Sequence, residues 1–155
     1  MKFPNIKPWS PETPNLYNLK LELKQNGKPI HFITERIGFR TLEFIKKDGI
    51  YVNGKKIIMK GINRHEIWPE SGRSTSKRIS IMDVNLLKDM NMNAVRGHYP
   101  ADSHFLQVCD SLGIFVLDEL AGWQNSYDTE TGTKLVTEMV TRDVNHASVI
   151  IWDNG

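Results

Sequence analysis

Cysteine is nearly missing: 155 residues hold one thiol, Cys109. That excludes an internal disulfide framework and any metal site built from several thiolates. It leaves the compartment open. No apolar run approaches the roughly 18–20 residues that a membrane helix needs. The opening "MKFPNIKPWSPE" has no apolar core of a secretory signal. Neither sign of charge dominates, with 20 Lys+Arg against 18 Asp+Glu, so nucleic acid and anionic membranes are not expected as partners. No Gly-x-Gly-x-x-Gly or phosphate-loop pattern follows any apolar stretch, which leaves nucleotide binding with little support. His65, His98, His104 and His146 lack the tight spacing, with a third carboxylate, of a metal site. We therefore expect no metal and no cofactor. Localisation is fixed by none of these features.

What is present is a globular composition, 39% hydrophobic and 25% charged. Two textures meet near residue 47. Before it, Leu19, Leu21 and Leu23 alternate with Lys20 and Glu22, the period of a strand. Asn26-Gly27 supplies a hairpin turn, "HFITERIGF" reads as a second strand and "RTLEF" as a third. Too few strands are present for a complete sandwich, so this part reads as the end of one. After it, "IYVNGKKIIMKG" reads as a hairpin about Asn53-Gly54. Helices and strands then alternate, with "KKIIMKGI" counted as the first strand. "SKRISIMDVNLLKDMN" is helical, with an apolar face expected at Met82, Leu86, Leu87 and Met90. "SHFLQVCDSLG" places Phe105, Val108, Cys109 and Leu112 on one helical face, ended by Gly113. "IFVLDEL" and "SVIIW" are apolar throughout, as strands covered on both faces are.

Polar residues gather just after each strand: Asn63-Arg64-His65-Glu66, then Arg96-Gly97-His98-Tyr99, Asp118-Glu119 and Asp153-Asn154. In a (β/α)₈ barrel these positions form the active-site face; in an open doubly wound sheet they line the ligand crevice. Arg96, ending a buried strand, needs a carboxylate partner, Asp118 or Glu119. Those two acids are adjacent on one strand and point to opposite faces, so support is favoured over joint acid/base work. His65 reads either as a group that holds a substrate hydroxyl or as part of a capped turn. Trp123 is of a type that stacks on a sugar ring or packs locally.

These stretches together resemble glycoside hydrolase family 2, which includes β-galactosidases, β-glucuronidases and β-mannosidases. "WSPETPNLYNLKLEL" and "RIGFRTLEF" are similar to the closing strands of that family's immunoglobulin-like domain. "NAVRGHYP…CDSLGIFVLDE" and "RDVNHASVIIW" are similar to its two barrel signatures. The resemblance implies an α/β chain, the first half of a (β/α)₈ TIM barrel (47–155) preceded by the C-terminal strands of an immunoglobulin-like β-sandwich (1–46). It implies a piece of a retaining exo-β-glycosidase, β-galactosidase-like, that acts on terminal β-linked sugars of oligo- or polysaccharides. The other reading kept open is a non-catalytic carbohydrate-binding or scaffolding module derived from that family. His65, His98 and Trp123 would contact sugar; Arg96, Asp118, Glu119, Trp152 and Asn154 would orient or support the catalytic carboxylates. The second signature continues in Asn-Glu, so the acid/base glutamate is expected just after Gly155 and none of the catalytic pair lies within the chain. The family has two residues between the arginine and histidine of the first signature, whereas only Gly97 stands here, a loss expected to re-aim His98. "AGWQNS" lacks the Glu and His that bind magnesium in some β-galactosidases. Open sheet edges are expected to favour self-association.

Overall fold

The computed structural model describes residues 3–122 and 125–154. β1 (Tyr17–Gln25) and β2 (Lys28–Ile37) form an antiparallel hairpin. β3 (Leu42–Ile45), β4 (Gly49–Val52) and β5 (Lys55–Lys56) form a second antiparallel sheet. Both Asn–Gly pairs form the turns expected of them. Asn26 and Gly27, and Asn53 and Gly54, all adopt the left-handed conformation that a two-residue hairpin demands. Asn53 also uses its amide to tie the sheet down, donating to the Trp9 carbonyl and accepting from the Thr41 N–H.

From there the chain alternates strand and helix: β6 (Gly61–Arg64), α1 (Lys77–Asp89), β7 (Ala94–Gly97), α2 (Ser103–Leu112), β8 (Phe115–Glu119), α3 (Thr129–Asp143) and β9 (Val149–Asp153). The four strands are parallel and lie in the order β6-β7-β8-β9. Ser76 caps α1 through the Ile79 N–H, and Asp128 caps α3 through the Thr131 N–H. Gly113 ends α2 with φ 77°, and its α-carbon sits so close to the Pro11 carbonyl that an added Cβ would lie 2.1 Å from that oxygen. Only glycine meets both demands.

The strands feed two cores by alternation, broken on β9, where Ile150 and Ile151 both join the second. Val95, Val116 and Val149 face the helices and join Val84, Leu87, Phe105, Leu106 and Cys109. Ala94, Phe115 and Ile150 face the other way and join Trp9, Val52 and Ala147. Each large apolar side chain so buried contributes roughly 1.5–3 kcal/mol. Trp9 is fully buried, rests edge-on against Phe115 and donates its indole N–H to the Asp110 carbonyl at 2.7 Å. Asp110 in turn accepts from the Ser148 N–H at 2.8 Å and contacts His146 Nδ1 at 2.6 Å. Cys109 is core, and burial pushes its thiol well above the usual range.

Two expectations change. "KKIIMKGI" is not one strand: Lys55–Lys56 are captured by β4 through the Asn53-Gly54 turn, and the parallel strand begins only at Gly61. "RTLEF" forms the expected strand, β3, which pairs with β4, and the preceding Arg40 reaches the Val149 carbonyl. The buried face of α1 is Ser80, Val84 and Leu87, whereas Met82, Leu86 and Met90 are exposed. The helix carries two apolar rows, and the row that faces the sheet includes a serine whose hydroxyl bonds His104 Nδ1 at 2.8 Å. No described helix is long and apolar enough to cross a membrane.

Candidate active site

Where the parallel strands end, alternation places polar groups where the apolar ones stop. Val95 faces the helices, so Arg96 faces the opposite side. Val116 does likewise, so Leu117 and Glu119 share the side of Arg96 while Asp118 turns back toward the helices. Arg96 then grips Glu119 with both arms of its fork, Nε to Oε2 at 2.5 Å and Nη2 to Oε1 at 2.8 Å. Its remaining nitrogen, Nη1, lies 3.4 Å from both Asn63 Oδ1 and His98 Nε2. The second contact is favourable when His98 Nε2 accepts, which makes Nδ1 the protonated nitrogen of a neutral ring.

His65 stacks on His98 with ring centroids 4.3 Å apart and planes 12° from parallel. Tyr99 flanks His65, and its hydroxyl accepts the Glu66 N–H at 2.9 Å. The one-residue spacing at Gly97 thus leaves His98 in contact with both Arg96 and His65. Behind the histidines lies a group whose pairing the sequence does not announce. Arg64 is nearly buried, donates to Asp83 and Glu66, and lies 4.0 Å over the Phe105 ring. Glu66 Oε2 accepts the Asp102 N–H. The signal was present in "NRHE", where an arginine and a glutamate bracket the histidine. Their partners on α1 and α2 are too distant in sequence to be foreseen.

Asp118 lies apart from this group. It is 1% exposed, and burial, then the neighbouring Asp143 carboxyl, push it up to about 7. Trp152 is register-paired with Asp118 on β9, and exposed Asn154 borders a separate hollow with Gly122 and Tyr127. Trp123 lies outside the described residues. Among the described residues no set of three His, Cys, Asp or Glu side chains converges as metal ligands. Arg96, which holds Glu119, lines a shallow hollow of about 270 Å³ together with Asn63, Leu117 and the apolar Met59 and Ile62. Such a surface offers ring stacking and directed donors to a hydroxylated ligand.

Residues 44–155 match the model of the glycosyl hydrolases family 2 TIM barrel domain, and residues 1–40 match a second model described as glycosyl hydrolases family 2. The chain belongs to glycoside hydrolase family 2. Its parallel sheet and flanking helices are part of that family's TIM barrel domain. The chain is 40% identical over 153 residues to a β-galactosidase of Thermoanaerobacterium thermosulfurigenes, covering 96% of this chain and 21% of that protein. It is 39% identical to a putative β-glucuronidase of Formosa agariphila, covering 97% of this chain and 19% of the relative. Among solved structures it resembles a family 2 β-galacturonidase of Eisenbergiella tayi bound to galacturonate, with TM-score 0.91 and 32% identity over 100% of this chain and 29% of that one. A β-glucuronidase of Parabacteroides merdae gives TM-score 0.87 and 30% identity, over 98% of this chain and 20% of the other. The chain thus spans about a fifth of the curated relatives' length.

Proposed function

We propose that the chain forms one wall of the sugar site of a retaining exo-β-glycosidase, β-galactosidase-like, acting on terminal β-linked sugars. In this reading residues 1–46 close an immunoglobulin-like sandwich and 47–155 form the first half of the barrel. One observation carries it: the forked Arg96–Glu119 pair, with the stacked His65–His98 rings beside it, stands at the C-terminal ends of parallel strands. That is the end at which such barrels do chemistry. Arg96 sets the local field and holds Glu119 still. His98 and His65 accept from or donate to sugar hydroxyls. Trp152 and Asn154 support the end of β9, and Trp123 would stack on the ring.

Glu66 and Glu119 are both held by arginines, which suits them to support rather than proton transfer. The acid/base and nucleophile glutamates then come from Asn-Glu after Gly155 and from a later strand. Retention needs both carboxyls about 5–5.5 Å apart. No step in this reading uses a metal or cofactor. In a longer protein that carries this chain followed by Asn-Glu, hydrolysis of an aryl β-glycoside should release first the anomer with retained configuration, read by NMR. Release of the inverted anomer removes the assignment. The same longer protein binding sugar without turnover would favour a non-catalytic carbohydrate module.

A further inference from the structure

Asp118 takes no part in the proposed sugar wall and lies behind it. Its side chain is 1% exposed, and among the described residues no side-chain donor reaches either carboxyl oxygen, the Ala101 backbone being the one hydrogen-bonding neighbour that favours its charged form. An ionised carboxylate left in that state is among the costliest groups a core can hold. The groups that face it come from three directions. α3 contributes Asp143, fully buried, and Arg142; the stretch before α2 contributes the Ala101 backbone and, through Arg142, the charge of Asp102. β9 contributes Trp152, its register partner, which carries no charge.

Arg142 is already committed. Its Nε and Nη2 donate to the two oxygens of Asp143 at 2.8 and 2.6 Å, and Nη2 also donates to the Ala101 carbonyl at 2.7 Å. One guanidinium therefore faces two carboxyls. Those carboxyls lie within hydrogen-bonding reach of each other. Both are pure acceptors when ionised, so their contact is favourable only if one keeps a proton. Asp143 is gripped at both oxygens by Arg142, which suits it to be the acceptor of the pair.

We propose that Asp118 is carried as a neutral carboxylic acid whose O–H donates to the Asp143 carboxylate, so that one held proton ties the end of β8 to α3. The next residue on β8 is Glu119, which projects to the opposite face and holds Arg96. Asp118 is thus a positioning residue that fixes from behind the strand end on which that pair stands. The inference rests on the packing of β8 against α3 and is independent of the glycosidase reading.

The test uses the 155-residue chain with carbon-13-labelled aspartate, followed by infrared spectroscopy from about pH 5 to about pH 8.5. A neutral-acid carbonyl band should persist at about pH 6, fade near pH 7 and be missing in Asp118→Asn. Urea unfolding supplies the second readout. The folded carboxyl holds its proton to about 7, against 3.8 for the ordinary group. The folded state therefore keeps a proton that the unfolded chain releases. The stability this gives is full below about pH 4 and lost as pH rises through about 7, and in that window one proton changes the unfolding constant about tenfold per pH unit. Asp118→Asn, whose amide still donates to Asp143, should remove that dependence. An absent neutral-acid band at pH 6, or the same pH slope in Asp118→Asn, overturns the proposal. If the variant does not fold, the band in the unsubstituted chain decides alone.

Discussion

Arg96 and Glu119 form one ion pair whose ends see different surroundings: the glutamate side chain is fully buried, whereas the arginine is 35% exposed. Removing the arginine strands a carboxylate in the core, at a cost of roughly 3–5 kcal/mol. Removing His65 deletes a stacked ring worth about 0.5–1.5 kcal/mol beyond its buried area. Arg96→Ala should therefore lower the urea midpoint clearly more than His65→Ala, and equal losses would contradict the ranking. That Arg96 needed a carboxylate was legible in the sequence, because a charge ending a buried strand requires one. The choice between Asp118 and Glu119 followed only from which face of β8 meets β7. The Arg64–Glu66–Asp83 group stayed hidden, since its members meet only after α1 folds back over β6.

At the scale of elements, α2 shows how a terminator can serve two purposes. Gly113 ends the helix and also lets Pro11 lie against it. Gly113→Ala should cost the left-handed strain of about 1–2 kcal/mol plus the displacement of Pro11. Gly54 is also left-handed but has open space about it, so Gly54→Ala should cost the strain alone. Comparing the two thermal midpoints checks this; equal shifts would show that Pro11 yields freely. α2 was readable because Phe105, Val108 and Cys109 of its expected face do pack, although the buried side is wider and also takes in Leu106 and Asp110. α1 was not, because Met82, Leu86 and Met90 form a second row as regular as the buried one, and periodicity carries no label for the inner row. The first parallel strand was misplaced for a related reason. Ile57 and Ile58 look like strand interior, yet the hairpin claims the residues before them and the parallel pairing begins at Gly61.

Over the whole molecule, apolar surface remains outside. Leu21, Leu23 and Ile33 are exposed along the β1–β2 hairpin, Ile58, Met59 and Ile62 around β6, and Met82, Leu86 and Met90 along α1. Patches of this kind drive association, so light scattering on the 155-residue chain should show oligomers that grow with concentration. A monodisperse monomer at tens of micromolar would overturn this. The apolar core was foreseen as two-sided, but its lid was not: nothing in "PWSPE" announces that Trp9 will cap residues a hundred positions later. That link has a consequence for how the chain is made. Trp9 leaves the ribosome 101 residues ahead of Asp110, whose carbonyl receives its indole N–H. At the usual rate of synthesis, about 5–20 residues per second, the indole waits roughly 5–20 s for its partner. During that interval the largest side chain of the inner core is a nascent, uncovered one, and a holding chaperone would find it there first.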